Sequence, residues 1–127
     1  MKYQIPAMLA SGGGSIINTS SVAGLVGMPN RSIYTASKHG VIGLTRAVAV
    51  EYSAKGIQAN VICPGLIETE ALAEWSDQQR AEVIAHHPIR RIGRPSEVAE
   101  TVLFLASGVA GFMTGSVISI DGGVVAQ

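Results

Sequence analysis

Between Ser32 and Ala54 the apolar side chains Val41, Leu44, Val48 and Tyr52 recur every three or four residues, the spacing of one face of an α-helix. Gly56 follows where such a helix would stop. Three other apolar stretches are short and β-branched, and turn residues bound them: Ser15–Asn18, Ile57–Cys63 and Val117–Ile120. That pattern predicts strands. Residues 3–10, with Tyr3, Ile5, Met8 and Leu9, read as the last turns of a helix ending at Ser11-Gly12-Gly13-Gly14. Pro95-Ser96-Glu97 opens another helix, which carries Val98, Val102, Leu103 and Leu105 to Ser107-Gly108. Ser76 and Gln79 are spaced as a capping box, which predicts a short helix running to about His86.

Strand, long helix and strand in this order make a βαβ unit, with parallel strands and a right-handed crossover. The chain therefore reads as one α/β unit over residues 1–127, a three-stranded parallel sheet flanked by helices. Ligands of such sheets bind beyond the carboxyl ends of the strands, where Ser20-Ser21 and Pro64-Gly65 stand. Residues 66–95 lack strong periodicity, and a connection of that length is expected to be a lid or binding loop, with Trp75 as a pocket wall. Ala36, Gly40, Gly43 and Ala47 form a stripe of small residues on the long helix, which predicts close approach by another helix or a ligand.

Composition narrows the setting. Charged residues are 14% of the chain against about 25% in ordinary soluble domains, and mean hydropathy is +0.34. No apolar run approaches the ~18 residues of a spanning helix, so the deficit predicts faces covered by a partner, a second copy of the chain above all, and no membrane segment. Nine basic and nine acidic residues balance without a basic block, which argues against a nucleic-acid partner. One cysteine, Cys63, excludes an internal disulfide and reads as a buried small hydrophobe. With no secretion signal visible, the expectation is cytoplasmic, and the Asn-x-Ser sites at Asn18 and Asn30 are coincidental.

Candidate chemistry gathers in one stretch. Tyr34 and Lys38 lie four residues apart, one above the other on a helix, just after the serine pair. A tyrosine and a lysine so spaced are ordinarily a packed ring and a solvated cation; the strand-end serines and Pro64-Gly65 at the same sheet edge raise them to candidates. A serine hydrolase is disfavoured, because no G-x-S-x-G elbow occurs. His86 and His87 are adjacent, point to different sides and have no third ligand nearby, so they read as plain loop histidines and no metal site is expected.

Five motifs in order then resemble the C-terminal half of a short-chain dehydrogenase/reductase: Asn18 to Gly24, Tyr34 to Lys38, Asn60 to Thr69, Gly93 to Ala99, and Thr114-Gly115 through Asp121-Gly122-Gly123. The resemblance implies the second half of a Rossmann-type doubly wound fold, and an oxidoreductase using NAD or NADP on a carbonyl or alcohol substrate. It implies Ser21, thirteen residues before Tyr34, as the serine that holds the substrate oxygen, Tyr34 as acid and base, and Lys38 on the nicotinamide ribose. Pro64, Gly65, Ile67 and Thr69 would meet the nicotinamide end, together with Tyr34 and Lys38. No glycine-rich phosphate turn of the form G-x-G-x-x-G occurs, so a partial dinucleotide-binding unit lacking the glycine-rich half is expected. The alternative is a catalytically inactive half-fold that acts as a binding or oligomerisation module.

Overall fold

The computed structural model describes all residues, 1–127. Seven elements follow one another: α1 (Gln4–Ala10), β1 (Gly14–Thr19), α2 (Ser32–Tyr52), β2 (Ile57–Pro64), α3 (Asp77–Ala85), α4 (Pro95–Ala106) and β3 (Val117–Ile120). Both strand pairs are parallel, and the order is β1-β2-β3. β1 and β2 are in register from Gly14 opposite Ile57 to Thr19 opposite Ile62, and β2 and β3 from Val61 opposite Val117 to Pro64 opposite Ile120.

The central strand explains the layering. Along β2, Ile57, Ala59, Val61 and Cys63 are buried at 0% exposure. Because alternate side chains point to opposite faces, these four share one face, which packs on Ile42, Val48 and Ala49 of α2. Ile62 points the other way and packs with Leu105 of α4 and Ala110. Burying each of these isoleucines or valines contributes about 1.5–3 kcal/mol.

Asn60, 2% exposed, also faces the α4 side. Its amide nitrogen donates to the Met113 carbonyl at 2.9 Å, and its oxygen accepts from the Ser116 N–H at 3.1 Å. A buried amide with both ends satisfied thus staples the segment leading into β3 onto β2. On the other face Asn18 Nδ2 donates to Thr45 Oγ1 at 2.8 Å, joining β1 to α2.

α2 runs into a 3₁₀ turn over Ser53–Lys55 and stops at Gly56, whose φ of +82° is the left-handed conformation glycine adopts freely. The Gly12–Gly14 turn leads into β1, and the space beside Gly13 is filled by the Gly56 backbone. Around Gly40 and Gly43 nothing lies within 4 Å of an added Cβ, so the small-residue stripe meets no neighbour within the chain. No helix is long and apolar enough to cross a membrane.

Candidate active site

The serine pair divides its work at the end of β1. Ser20 is buried at 4% exposure, continues the ladder by donating its N–H to the Ile62 carbonyl at 2.8 Å, and donates its hydroxyl to the Lys38 carbonyl at 2.8 Å. Ser21 has extended backbone and opens a 3₁₀ turn over Val22–Gly24, its Oγ accepting the Ala23 N–H at 3.2 Å. That turn presses against α2. A Cβ on Gly24 would collide with Ser20 Oγ and stand 2.9 Å from the Lys38 carbonyl oxygen. Glycine is therefore required where the turn meets the helix, and the contact fixes Ser21 relative to α2.

Tyr34 lies in the first turn of α2, 42% exposed, and Lys38 in the next. The Lys38 ammonium donates to the Thr19 carbonyl at 3.2 Å and stands 5.6 Å from the centre of the Tyr34 ring. An ammonium has three protons to donate, so two remain free for a ligand. Ser21 and Tyr34 line one cleft of about 350 Å³, with Met28, Leu66, Trp75 and His87 among its other walls.

At the neighbouring strand end, Pro64 closes β2 and Gly65 donates its N–H to the Ile120 carbonyl at 3.0 Å. A Cβ on Gly65 would stand 2.9 Å from Asp121 Cα, so the close approach of the chain after β3 requires glycine. Asp121, 9% exposed, caps the turn that follows by accepting the N–H groups of Gly123 and Val125 at 3.0 and 2.9 Å.

The seven expected site residues are not all on one wall. Ser21, Tyr34 and Gly65 share the first cleft. Ile67 pairs with Gly93 and lines a neighbouring cleft of about 340 Å³ with Ile120 and Asp121. Thr69 is exposed at the start of a 3₁₀ turn over Glu70–Leu72 and lines neither cleft.

The connection from 66 to 94 is an organised strap. Its two ends are tied by the Glu68 N–H to the Gly93 carbonyl at 2.8 Å and the Gly93 N–H to the Leu66 carbonyl at 3.0 Å. The Ser76–Gln79 capping box opens α3 as the spacing predicts. Arg80 of α3 then grips both Glu68 carboxylate oxygens, at 3.1 and 3.0 Å, and the Leu72 carbonyl at 2.6 Å.

His87 departs from the expectation of a plain loop histidine: it is 7% exposed and lines both clefts. Its Nδ1 lies 2.8 Å from the Val83 carbonyl and so carries the proton in that bond. The signal available in the sequence was its position one helical turn after Val83. His86 makes the same contact with the Glu82 carbonyl but is exposed. No three His, Cys, Asp or Glu side chains converge as a metal site would require. Cys63 is fully buried beside this edge, and burial pushes its thiol up.

Residues 1–125 match the family described as enoyl-(acyl carrier protein) reductase, of the short-chain dehydrogenase type. The chain belongs to the short-chain dehydrogenase/reductase family. It is 52% identical over 122 residues to the cyclohexanol dehydrogenase of Acinetobacter sp. (strain SE19), covering 96% of this chain and 47% of that protein. With the cis-4-hydroxycyclohexanecarboxylate dehydrogenase of Sinomonas cyclohexanicum it shares 45% identity over 125 residues, 98% of this chain and 50% of the relative. The solved structure of ElxO with NADP bound superposes with a TM-score of 0.94 at 41% identity, over 100% of this chain and 52% of that one. The chain thus spans about half the length of these relatives, and its three parallel strands with their helices are the corresponding part of a Rossmann-type fold.

Proposed function

We propose that this chain carries the acid–base half of an NAD(P)-dependent hydride-transfer site acting on a carbonyl or secondary alcohol. The observation that carries the reading is the shared cleft of Ser21 and Tyr34 at the carboxyl edge of the sheet, with the Lys38 ammonium 5.6 Å from the tyrosine ring.

The fit to a dinucleotide is tested by what surrounds this edge. Lys38 keeps two donors free, Gly65 holds the backbone close to the end of β3, and Pro64, Ile67 and Thr69 belong to the segment leaving β2. Lys38 and Gly65 suit the nicotinamide end; Pro64, Ile67 and Thr69 are assigned to it by their motif alone, since Ile67 lines the neighbouring cleft and Thr69 lines neither. The Gly12–Gly14 turn does not suit the phosphates, because it precedes a strand and packs on Gly56. We therefore read residues 1–127 as a single partial dinucleotide-binding unit.

When bound, the nicotinamide supplies or accepts the hydride. Tyr34 gives its phenolic proton to the substrate oxygen in reduction and takes it back in oxidation. Ser21 donates a hydrogen bond to the same oxygen and so fixes the carbon to which the hydride passes. Lys38, with two ammonium protons free beside the tyrosine, would hold the nicotinamide ribose. Met28, Leu66 and Trp75 keep water from the reacting carbon and suit a compact apolar substrate, in line with the alicyclic alcohols in the names of two relatives. Substituting Tyr34→Phe and following NADH or NADPH oxidation with a panel of ketones tests the assignment, since the acid–base contribution is about 10²–10⁴-fold.

A second reading, an inactive half-fold serving as a binding or oligomerisation module, draws on the uncovered face of α2. There Ile33 and Val50 are 86% and 88% exposed. Self-association through that face is compatible with the enzymatic reading as well.

A further inference from the structure

The Ser21–Tyr34 cleft carries a charge that the proposed hydride transfer does not use. Arg31, three residues before Tyr34 and just ahead of α2, lines its mouth. The guanidinium forms no ion pair, whereas Arg80 and Arg91 are each locked onto a carboxylate, Glu68 and Glu97. No carboxylate lines the cleft, and seven of the eleven lining residues are hydrophobic. His87, on another wall, commits its Nδ1 proton to the Val83 carbonyl, which leaves Arg31 as the one lining group with a fixed formal charge.

From the juxtaposition of an unpaired guanidinium, apolar walls and the Ser21–Tyr34 pair, we infer that Arg31 is a specificity residue that receives an anionic end of the substrate. The ligand class is a ketone or secondary alcohol whose reacting oxygen lies at Tyr34 and whose compact apolar body ends in a carboxylate or a similar oxyanion. The cleft of about 350 Å³ that Arg31 and Tyr34 both line has room for a body the size of one six-membered ring between the two polar ends. A planar guanidinium suits such an end because it presents paired N–H donors to two anionic oxygens.

This inference rests on the reading of the cleft as the substrate site, and its test separates the two. Trp75 is the single tryptophan and lines the same cleft, so its fluorescence reports occupancy. The probes are 4-oxocyclohexanecarboxylate and its neutral isostere 4-oxocyclohexanecarboxamide, titrated into the chain with circular dichroism as a check that each variant is folded. The carboxylate is expected to bind about 3–10-fold more tightly, a preference that shrinks with added salt. Arg31→Ala equalises the two affinities, Arg31→Lys retains part of the preference and Arg31→Glu reverses it. Equal affinities in the native chain, a preference that survives Arg31→Ala, or no saturable response to either probe overturns the inference. Tyr34-dependent turnover of ketones without any preference for the carboxylate would overturn this inference alone. A carboxylate preference without turnover would uphold Arg31 and count against hydride transfer.

Discussion

Ser20 donates its hydroxyl to the main-chain carbonyl of Lys38 at 2.8 Å, so the residue next to Ser21 is fastened to the turn of α2 that carries the lysine. The strand end and the helix are thereby held at one spacing, and Gly24 leaves room for that contact. Ser20→Ala removes one buried hydrogen bond and is expected to cost about 0.5–1.5 kcal/mol. Gly24→Ala forces the 3₁₀ turn off α2 and is expected to cost about 1–3 kcal/mol, as overpacking typically does. Urea denaturation of the two variants checks both values. Gly24→Ala losing less stability than Ser20→Ala would contradict the packing described.

Asn60 is a second buried fastener, with its partners more than fifty residues away in the chain. Asn60→Ala strands the Met113 carbonyl and the Ser116 N–H, and an unsatisfied buried group costs about 1–3 kcal/mol. A loss of about 2 kcal/mol or more is expected, with faster amide exchange in the segment leading to β3. Hydrogen exchange resolved by residue measures both.

Glu97 gives a pH signature. The Arg91 guanidinium, with the Arg94 N–H beside it, lowers its carboxyl from 4.5 to about 2. The folded state thus holds the charged form more strongly than the unfolded state does. Its stabilising effect is fully present above about pH 4.5 and is lost as the pH falls toward 2. NMR titration of the Glu97 carboxyl and the Arg94 amide is expected to give a shared midpoint near 2, and Glu97→Gln removes the transition from both.

Arg80 holds the strap over the cleft by its grip on Glu68 and the Leu72 carbonyl. In Arg80→Ala, residues 66–75 are expected to exchange faster and Trp75 to become more accessible to a soluble quencher, with little change in global stability. Unchanged quenching would mean that the strap does not depend on this ion pair.

The sequence made some of these relations readable and hid others, and the division follows contact range. The capping box at Ser76, the stop at Gly56 and the three strands are local patterns, and each corresponds to an element of the fold. Ser20 and Asn60 act through bonds spanning 18 to 56 residues, which no local period encodes. His87 read as a plain loop residue because its burial depends on how α3 docks over the clefts. The stripe at Gly40 and Gly43 was expected to admit a close neighbour, yet nothing within the chain approaches it. Ile67 and Thr69, grouped with Gly65 by motif, diverge because the chain turns away at the Ile67–Gly93 bridge.

Hydride transfer from NADH or NADPH to ketones, compared between the native protein and Tyr34→Phe at saturating cofactor, tests the central claim most directly. The account predicts weak turnover, because residues 1–127 carry only the nicotinamide end of the cofactor site, and that this turnover falls about 10²-fold or more in Tyr34→Phe. Turnover that is undiminished by that substitution, or absent from the native protein, would contradict it.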